Sequence, residues 1–536
     1  MRKLTVSALV LMLVAAFAPG ARTDTAKLAL VRVHVDSAAD AAYLMNNFDE
    51  SHNHSEGEIE LVLWPGDRLA LDALGFDYTV VTEDLVARDL ALAAAAGPAA
   101  MQTLPGPDYD DYRRLTDYNA ELTELADKNP DLVKLFEMKR PSLEGRTIFG
   151  LEIAHDVKKE DGRPIFYMDA VHHAREWPAS EFTIMYAHHL VEKFGKDPKV
   201  TALMKSTRTI LVPIVNVDGF NYSRESITSV NQPARDASEP LGFSFGDGLG
   251  NGFEGYWRKN RRSLTGVTIP GAQVNPDAYG VDPNRNYAYL WGDQQGGSSN
   301  NQLDQTYRGE APFSEPEVAN VRDIVLSRPV TGVITNHTVQ ASVLRAGGGA
   351  APDEPTLVAI GQQMADLLGF QNNATVGYPT TGTTDDWAYA AIGSLGFTIE
   401  HGGSGFHCAY AECVGTPADR TMKAFMVMHE ASANPRYHSV LTGKVPGGAE
   451  LTLKKTFKTP LSDGNPIGEE FVIEKVKMTL ATEKDGSFEW HVGPSLRPYE
   501  KKVESYTLTI TAGGKTKTMQ VVVRRGQRLD LGTIRL

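Results

Sequence analysis

The sequence predicts an α/β fold for the middle of the chain, a small α+β unit ahead of it and an all-β sandwich behind it. Three observations carry this expectation. From about Tyr109 to Pro435 strand-like and helix-like segments alternate, which implies a sheet with helices on both faces. Beyond Tyr437 the texture changes to short β runs at a spacing that fits a sandwich. Before Tyr109 lies an Ala-rich run, Leu90 to Ala100, followed by Thr103-Leu-Pro-Gly-Pro107, a composition that reads as an exposed, cleavable linker.

The elements follow in order. Arg2 and Lys3, the apolar run Leu4 to Ala18 and the small residues Ala18-Pro-Gly-Ala21 read as a secretory signal peptide over 1–23. The alternative is an uncleaved anchor, although the run is shorter than the ~20 residues that span a bilayer. Residues 24–106 hold the α+β unit and linker. Its strands are expected at Leu28 to Val35, Glu58 to Leu63 and Phe76 to Val81, with helices at Ala38 to Phe48 and Leu69 to Leu74. In 107–435 the expected helices are Leu115 to Ala126 and Pro178 to Phe194, the latter with proline in its first turn. Strands are expected at Ile148 to Ile153, Ile165 to Met168, Thr209 to Val215, Gly332 to Asn336 and Gly396 to Glu400. In 436–536 the β runs are Glu450 to Lys454, Val476 to Leu480, Ser505 to Thr511 and Met519 to Val523.

Composition narrows the function. The 536 residues carry 53 Lys and Arg against 67 Asp and Glu, a net charge of −14, with 42% hydrophobic residues. That is ordinary globular composition, and its acidic balance argues against nucleic acid or an anionic membrane as partner. Two cysteines exclude a disulfide-rich scaffold and a Cys-only metal cluster. In an exported protein Cys408 and Cys413 are expected to pair across a short loop, with free thiols as the alternative.

Candidate chemistry gathers at the ends of the predicted strands, where open α/β sheets form their sites. His173 and Glu176, three apart after the strand Ile165 to Met168, can present a nitrogen and an oxygen to one ion. His337 closes the strand Gly332 to Asn336, and Glu400 ends Gly396 to Glu400. Two neutral imidazoles and one carboxylate suit a hydrolytic Zn²⁺ with an open position, leaving Glu400 as a spare carboxylate to move a proton. Arg175, Arg258 and Arg285 stand in stretches near the same edge and suit anions. A nucleophile elbow is lacking, since Gly403-Ser404-Gly405 is incomplete, and His-Glu-x-x-His is absent.

These residues fall in an ordered series: Glu144-Gly-Arg146, His173-Ala-Arg-Glu176-Trp177, Asn216-Val-Asp-Gly219, Trp257-Arg-Lys259, Asp282-Pro-Asn-Arg-Asn286, His337, Tyr378, Asp385-Asp-Trp387 and Phe397-Thr-Ile-Glu400. Through that series the sequence resembles the zinc metallocarboxypeptidases of the carboxypeptidase A and B type over about Tyr109 to Pro435. The resemblance implies a mixed central sheet flanked by helices, and one zinc ion held by His173, Glu176 and His337. It implies Glu400 as general base and then acid, and Arg258 at the oxyanion. Asn284, Arg285 and Tyr378 would grip a terminal carboxylate, and Arg175 a carbonyl further along the peptide. The substrates so implied are peptides or proteins with a free C-terminal carboxylate. Asp385 stands where members that remove Lys or Arg carry Asp. A basic preference is therefore one expectation; the alternative is a broad or apolar preference, with Asp385 paired to a protein cation such as Arg345 or placed on the rim.

Some features depart from the family. Val339 replaces an aromatic residue common at the next subsite. The insertion from Asn221 to Gly255, rich in Gly, Asp, Asn and Ser, is read as a solvated loop, with a lid or a calcium loop as alternatives that lack regular ligand spacing. His172, His188 and His189 are expected to be structural neighbours rather than ligands. The α+β unit resembles the segment that precedes many such peptidases and blocks their cleft, so a zymogen is expected. The tail, with Thr482-Glu-Lys-Asp-Gly486, resembles a transthyretin-like sandwich. With the signal peptide and no later segment long and apolar enough to span, the protein is expected outside the cytoplasm, in the medium or the cell envelope, without a membrane span once the signal is removed.

Overall fold

A computed structural model describes residues 27–55, 57–64, 66–96, 112–228, 253–263, 280–293, 297–302, 304–376, 380–462 and 470–536. The expected signal peptide, the linker proper, Tyr378 and most of the insertion 221–255 lie outside the described residues.

The N-terminal unit is a four-stranded sheet in the order β2-β3-β1-β4, formed by β1 (Ala29–His34), β2 (Asp49–Ser55), β3 (Glu58–Leu63) and β4 (Tyr78–Thr82). Helices α1 (Ala38–Asn47), α2 (Asp67–Leu74) and α3 (Leu85–Ala96) complete it. Ser37 starts α1 by accepting a hydrogen bond from the Asp40 amide, which satisfies an amide that the helix itself leaves unpaired. Two expectations need correction. Residues 90–96 are helix rather than linker, because an alanine-rich run has high helix propensity and continues from Leu85. Strand β2 was not expected, since Asp-Glu-Ser-His-Asn-His-Ser has no apolar alternation. It forms by pairing antiparallel with β3, with an irregular register between Glu50 and His54.

The central unit is an eight-stranded mixed sheet in the order β11-β10-β12-β9-β7-β8-β6-β5. Its strands are β5 (Val133–Glu137), β6 (Phe149–Ile153), β7 (Ile165–Ala170), β8 (Arg208–Val212), β9 (Val330–Val339), β10 (Ser342–Arg345), β11 (Gln371–Asn373) and β12 (Leu395–Gly402). The middle four, β12-β9-β7-β8, run parallel, while β5, β6 and β10 pair antiparallel with their inner neighbours. Every residue of β7, β8 and β9 is buried, as expected of parallel strands covered on both faces. The helices are α4 (Leu115–Lys128), α5 (Trp177–Lys193), α6 (Pro198–Ser206), α7 (Val217–Thr228), α8 (Pro316–Ser327), α9 (Glu354–Leu368), α10 (Thr384–Ile392) and α11 (Ala418–Ala433). Gly393 ends α10 at φ 73°, a conformation that costs glycine little.

The C-terminal unit is a sandwich of two sheets. One has the order β16-β13-β19, from β13 (Ser439–Lys444), β16 (Ser487–Val492) and β19 (Arg528–Thr533). The other has the order β15-β14-β17-β18, from β14 (Glu450–Pro460), β15 (Phe471–Ala481), β17 (Tyr506–Ala512) and β18 (Lys515–Val521). Burial alternates along β14 and β15, the signature of strands with one wet face. The sandwich is not a loose appendage: its core residues Leu451, Trp490 and Leu508 are continuous with the core of the central unit. Trp387 on α10 donates to Glu474 on β15 at 3.0 Å, and Arg525 pairs with Asp353 at 3.0 Å. No described helix is long and apolar enough to cross a membrane.

Candidate active site

The site lies at the carboxyl ends of β7, β9 and β12. After β7 the chain turns at Val171, whose φ of 56° is strained for a β-branched residue, and then presents His173 and Glu176. His337 lies within β9, and Glu400 sits beside it in β12, where the two are register partners. Ligand atoms of His173, Glu176 and His337 all fall within 4.8 Å of one another, and all three side chains are buried. Glu176 places one oxygen 2.7 Å from His173 Nδ1 and the other 2.8 Å from His337 Nδ1. Burial lowers the pKa of His173 and brings His337 down to about 3, so both imidazoles are neutral at pH 7 and keep a lone pair to donate. Two neutral nitrogens and one carboxylate are a donor set that fits a single divalent metal ion with a position left for another ligand.

Behind the ligands stands a carboxylate that the sequence reading did not single out. Asp282 Oδ1 lies 3.1 Å from His173 Nε2, while its Oδ2 accepts from Arg258 at 2.9 Å. Burial alone would raise its pKa, but Arg258 and His173 outweigh burial and hold Asp282 well below the ordinary carboxylate range. Such a carboxylate fixes which imidazole nitrogen faces a metal. The only signal in the sequence was its place at the head of Asp282-Pro-Asn-Arg-Asn286.

Glu400 Oε2 is buried and has no hydrogen-bond partner among the described residues. Burial, then the charges of Glu176 and Glu50, push its pKa well above the usual carboxylate range. Asn284 Nδ2 is 3.3 Å from His337 Nε2, and its Oδ1 accepts from the Thr384 amide at 3.1 Å. Arg285 is braced by the carbonyls of Gly297, at 2.5 Å, and Asn284, at 2.9 Å. These side chains reach a cavity of about 440 Å³ lined by His173, Asn284, Arg285, Asp385, Asp386 and Glu400, among others. Tyr378, assigned to the same group by resemblance, lies outside the described residues.

Asp385 forms no ion pair among the described residues, because Arg345 is engaged by Glu354 at 2.7 Å. The expected alternative of an Asp385–Arg345 pair is therefore corrected. Burial raises the pKa of Asp385, and burial together with Asp385 brings Asp386 up to about 7. Asp386 accepts from the Gly347 amide at 2.6 Å.

Arg175 is fully buried and does not open to the cleft. It makes a two-pronged contact with Asp49 of β2 at 2.6 and 2.8 Å and donates to the Glu50 carbonyl at 3.0 Å. A second hold lies on α3. Asp89, also buried, is 2.8 Å from His407 Nδ1, accepts from the Tyr256 hydroxyl at 2.7 Å and pairs with Arg88 at 2.8 Å. Val339 packs in the same region with Leu30, Val62 and Trp64 of the N-terminal unit. Asp49 and Asp89 were not foreseen, since each is an ordinary acidic residue in a stretch without a motif.

Other motifs hold structure rather than chemistry. Asp218 accepts from Arg146, Ser142 and the Glu144 amide at 2.7–2.8 Å, so Glu144-Gly-Arg146 and Asn216-Val-Asp-Gly219 clasp each other. His172 bonds the Tyr287 hydroxyl at 2.8 Å and His188 pairs with Glu121 at 2.6 Å. His189 stacks against Tyr186, 6.0 Å between ring centres. Cys408 and Cys413 form the expected disulfide.

This fold and donor set define a protein of the zinc carboxypeptidase type: the chain matches the zinc carboxypeptidase family over residues 118–417 and belongs to it. Carboxypeptidase B of Homo sapiens is 26% identical over 308 residues, which cover 55% of this chain and 64% of that protein's length. Zinc carboxypeptidase A 1 of Anopheles gambiae is 26% identical over 352 residues, covering 62% of this chain and 71% of that protein. In fold the chain is similar to the crystal structure of carboxypeptidase A from Helicoverpa armigera, with a TM-score of 0.61, 23% identity, and coverage of 76% of this chain and 98% of that one.

Proposed function

We propose that the protein is an exported zinc carboxypeptidase that hydrolyses the last peptide bond of peptides with a free C-terminus and is made in a latent form. The observation that carries the reading is the convergence of His173, Glu176 and His337, with His173 lining the cavity that also holds Arg285 and Glu400. Zinc held by His173, Glu176 and His337 supplies a Lewis acid toward water and a carbonyl. Arg285, with Asn284 and Tyr378, receives the terminal carboxylate and so brings only the last peptide bond into register. Glu400 takes a proton from the attacking water as the new C–O bond forms, and returns it to the amine nitrogen as the C–N bond breaks. Arg258 faces the charge that grows on the carbonyl oxygen. Asp385, buried without a cationic partner among the described residues, supports a preference for Lys or Arg at the C-terminus. The grip of Asp49 on Arg175 supports latency, because it occupies a side chain assigned to substrate.

The test is hydrolysis of peptides ending in Arg, Leu or Glu, each free or amidated at the C-terminus. Assays are run with and without a chelator, before and after mild proteolysis between Ala96 and Tyr112. Release from free termini alone, abolished by chelator and raised by proteolysis, is the expected result. Equal cleavage of the amidated peptides would move the reading to an internal-bond or cell-wall peptide hydrolase. Loss of the Asp282 carboxylate in Asp282→Asn is expected to weaken zinc binding about 10- to 100-fold, read by titration against a competing chelator.

A further inference from the structure

We infer that the pocket for the substrate's last side chain is built by two domains, and that Tyr499 of the sandwich is a specificity-determining residue within it. The inference rests on the carboxypeptidase reading and adds to it the origin of one wall and the chemistry of that wall. The cavity of about 440 Å³ that holds Arg285, Asp385, Asp386 and Glu400 is also lined by Tyr499, from the loop joining β16 to β17.

Four features of Tyr499 point the same way. Its backbone has φ 65°, a left-handed conformation that costs a tyrosine energy and persists only where the surroundings impose it. The hydroxyl is buried and has no hydrogen-bond partner among the described residues, an unusual state for a polar atom in a protein interior. Its ring stacks on Tyr289, 5.4 Å between centres and 15° apart, and meets Tyr389 edge-on at 5.8 Å. Finally, the hydroxyl lies so close to Gly347 that a Cβ there would stand 2.3 Å from it, and the Gly347 amide is the donor to Asp386. The phenol oxygen and the Asp386 carboxylate thus flank one glycine on the pocket wall.

The loop is held in place by its own anchors. Arg497, buried two residues before Tyr499, donates to the Ala390 carbonyl of α10 at 3.1 Å and to the Lys458 carbonyl of β14 at 3.0 Å, and pairs with Glu504 at 2.6 Å. Helix α10 is the element that carries Asp385 and Asp386, and Trp387 on it is tied to Glu474 of the sandwich. The tyrosine and the two carboxylates are therefore referenced to the same helix. Tyr499 and Tyr289 offer an aromatic face to an aliphatic stem, and an oxygen acceptor joins the carboxylates at its end. A long side chain that ends in several N–H donors fits this chemistry, and an aliphatic one leaves the phenol oxygen unpaired.

The test compares the wild-type chain with Tyr499→Phe and Tyr499→Ala, each after the same mild proteolysis between Ala96 and Tyr112. Two readouts are taken: kcat/KM for matched peptides ending in Arg or Leu, and the calorimetric Kd of free L-arginine and L-leucine. Tyr499→Phe keeps the ring and its packing, and is expected to lower the Arg-to-Leu ratio of kcat/KM about tenfold, mostly through KM. The ratio of amino-acid affinities should fall by a similar factor. Tyr499→Ala, which also removes the aromatic face, should lower both ratios further. Equal losses for Arg and Leu in both variants would overturn the inference, since a purely structural tyrosine moves both ligands together. If the wild type releases neither residue, the carboxypeptidase reading fails, and the L-arginine and L-leucine affinities still decide the role of Tyr499.

Discussion

Glu400→Gln is expected to lower kcat about 10²–10⁴-fold while the zinc content of the purified protein stays at the wild-type value. The amide has nearly the size and shape of the carboxylate, so the buried end of β12 keeps its packing. What it lacks is the ability to take a proton, and the Glu400 oxygen without a partner among the described residues is the atom placed to take it. Because the ligand set proposed above is His173, Glu176 and His337, removing the Glu400 charge should leave the metal donors intact. Turnover and metal stoichiometry measured on one preparation check both halves of the statement. A variant that keeps about a tenth or more of the activity, well above the hundredth or so that the smallest effect expected of a base would leave, would remove Glu400 from the role assigned to it.

The second large effect is expected of Arg258→Ala, for which kcat should drop about 10²–10³-fold and KM should change much less. The guanidinium is nearly fully buried and is oriented by Asp282 at 2.9 Å, so its charge is fixed before the reaction begins. A donor fixed in this way acts mainly on charge that appears in the transition state, which is why the loss is expected in kcat. The substitution also leaves Asp282 without one of its partners, and metal content must be compared with wild type to separate the two effects. A rise in KM with kcat unchanged would mean that Arg258 binds the substrate rather than the transition state.

The fold was legible where a local pattern dictated the element. The apolar runs around Ile165, Thr209 and Gly332 became β7, β8 and β9 because parallel strands buried on both faces have no wet side to mark with polar residues. The trio able to hold a metal was legible because each member stands at or after the end of one of these runs. What escaped was set by tertiary contact. Strand β2 is polar and exists through its pairing with β3. Asp49 and Asp89 acquire meaning only through Arg175 and His407, which are 126 and 318 residues away in sequence. Tyr499 escaped for the same reason: no pattern in the sandwich marks a residue that faces another domain's cavity.

The N-terminal unit's two holds have a kinetic consequence. Asp49 and Asp89 both precede the stretch between Ala96 and Tyr112, so cutting there severs the tether and leaves each buried pair closed. Scission and escape are then separate events in a latent form held this way, and the appearance of activity follows the off-rate of the fragment rather than the protease's speed. The buried Asp49–Arg175 ion pair and the buried hydrogen bonds of Asp89 with His407 and Tyr256 slow that off-rate, since dissociation must re-expose groups that are paired in the complex. In the latent form proposed above, the nicked protein would pass through a silent interval set by its own dissociation.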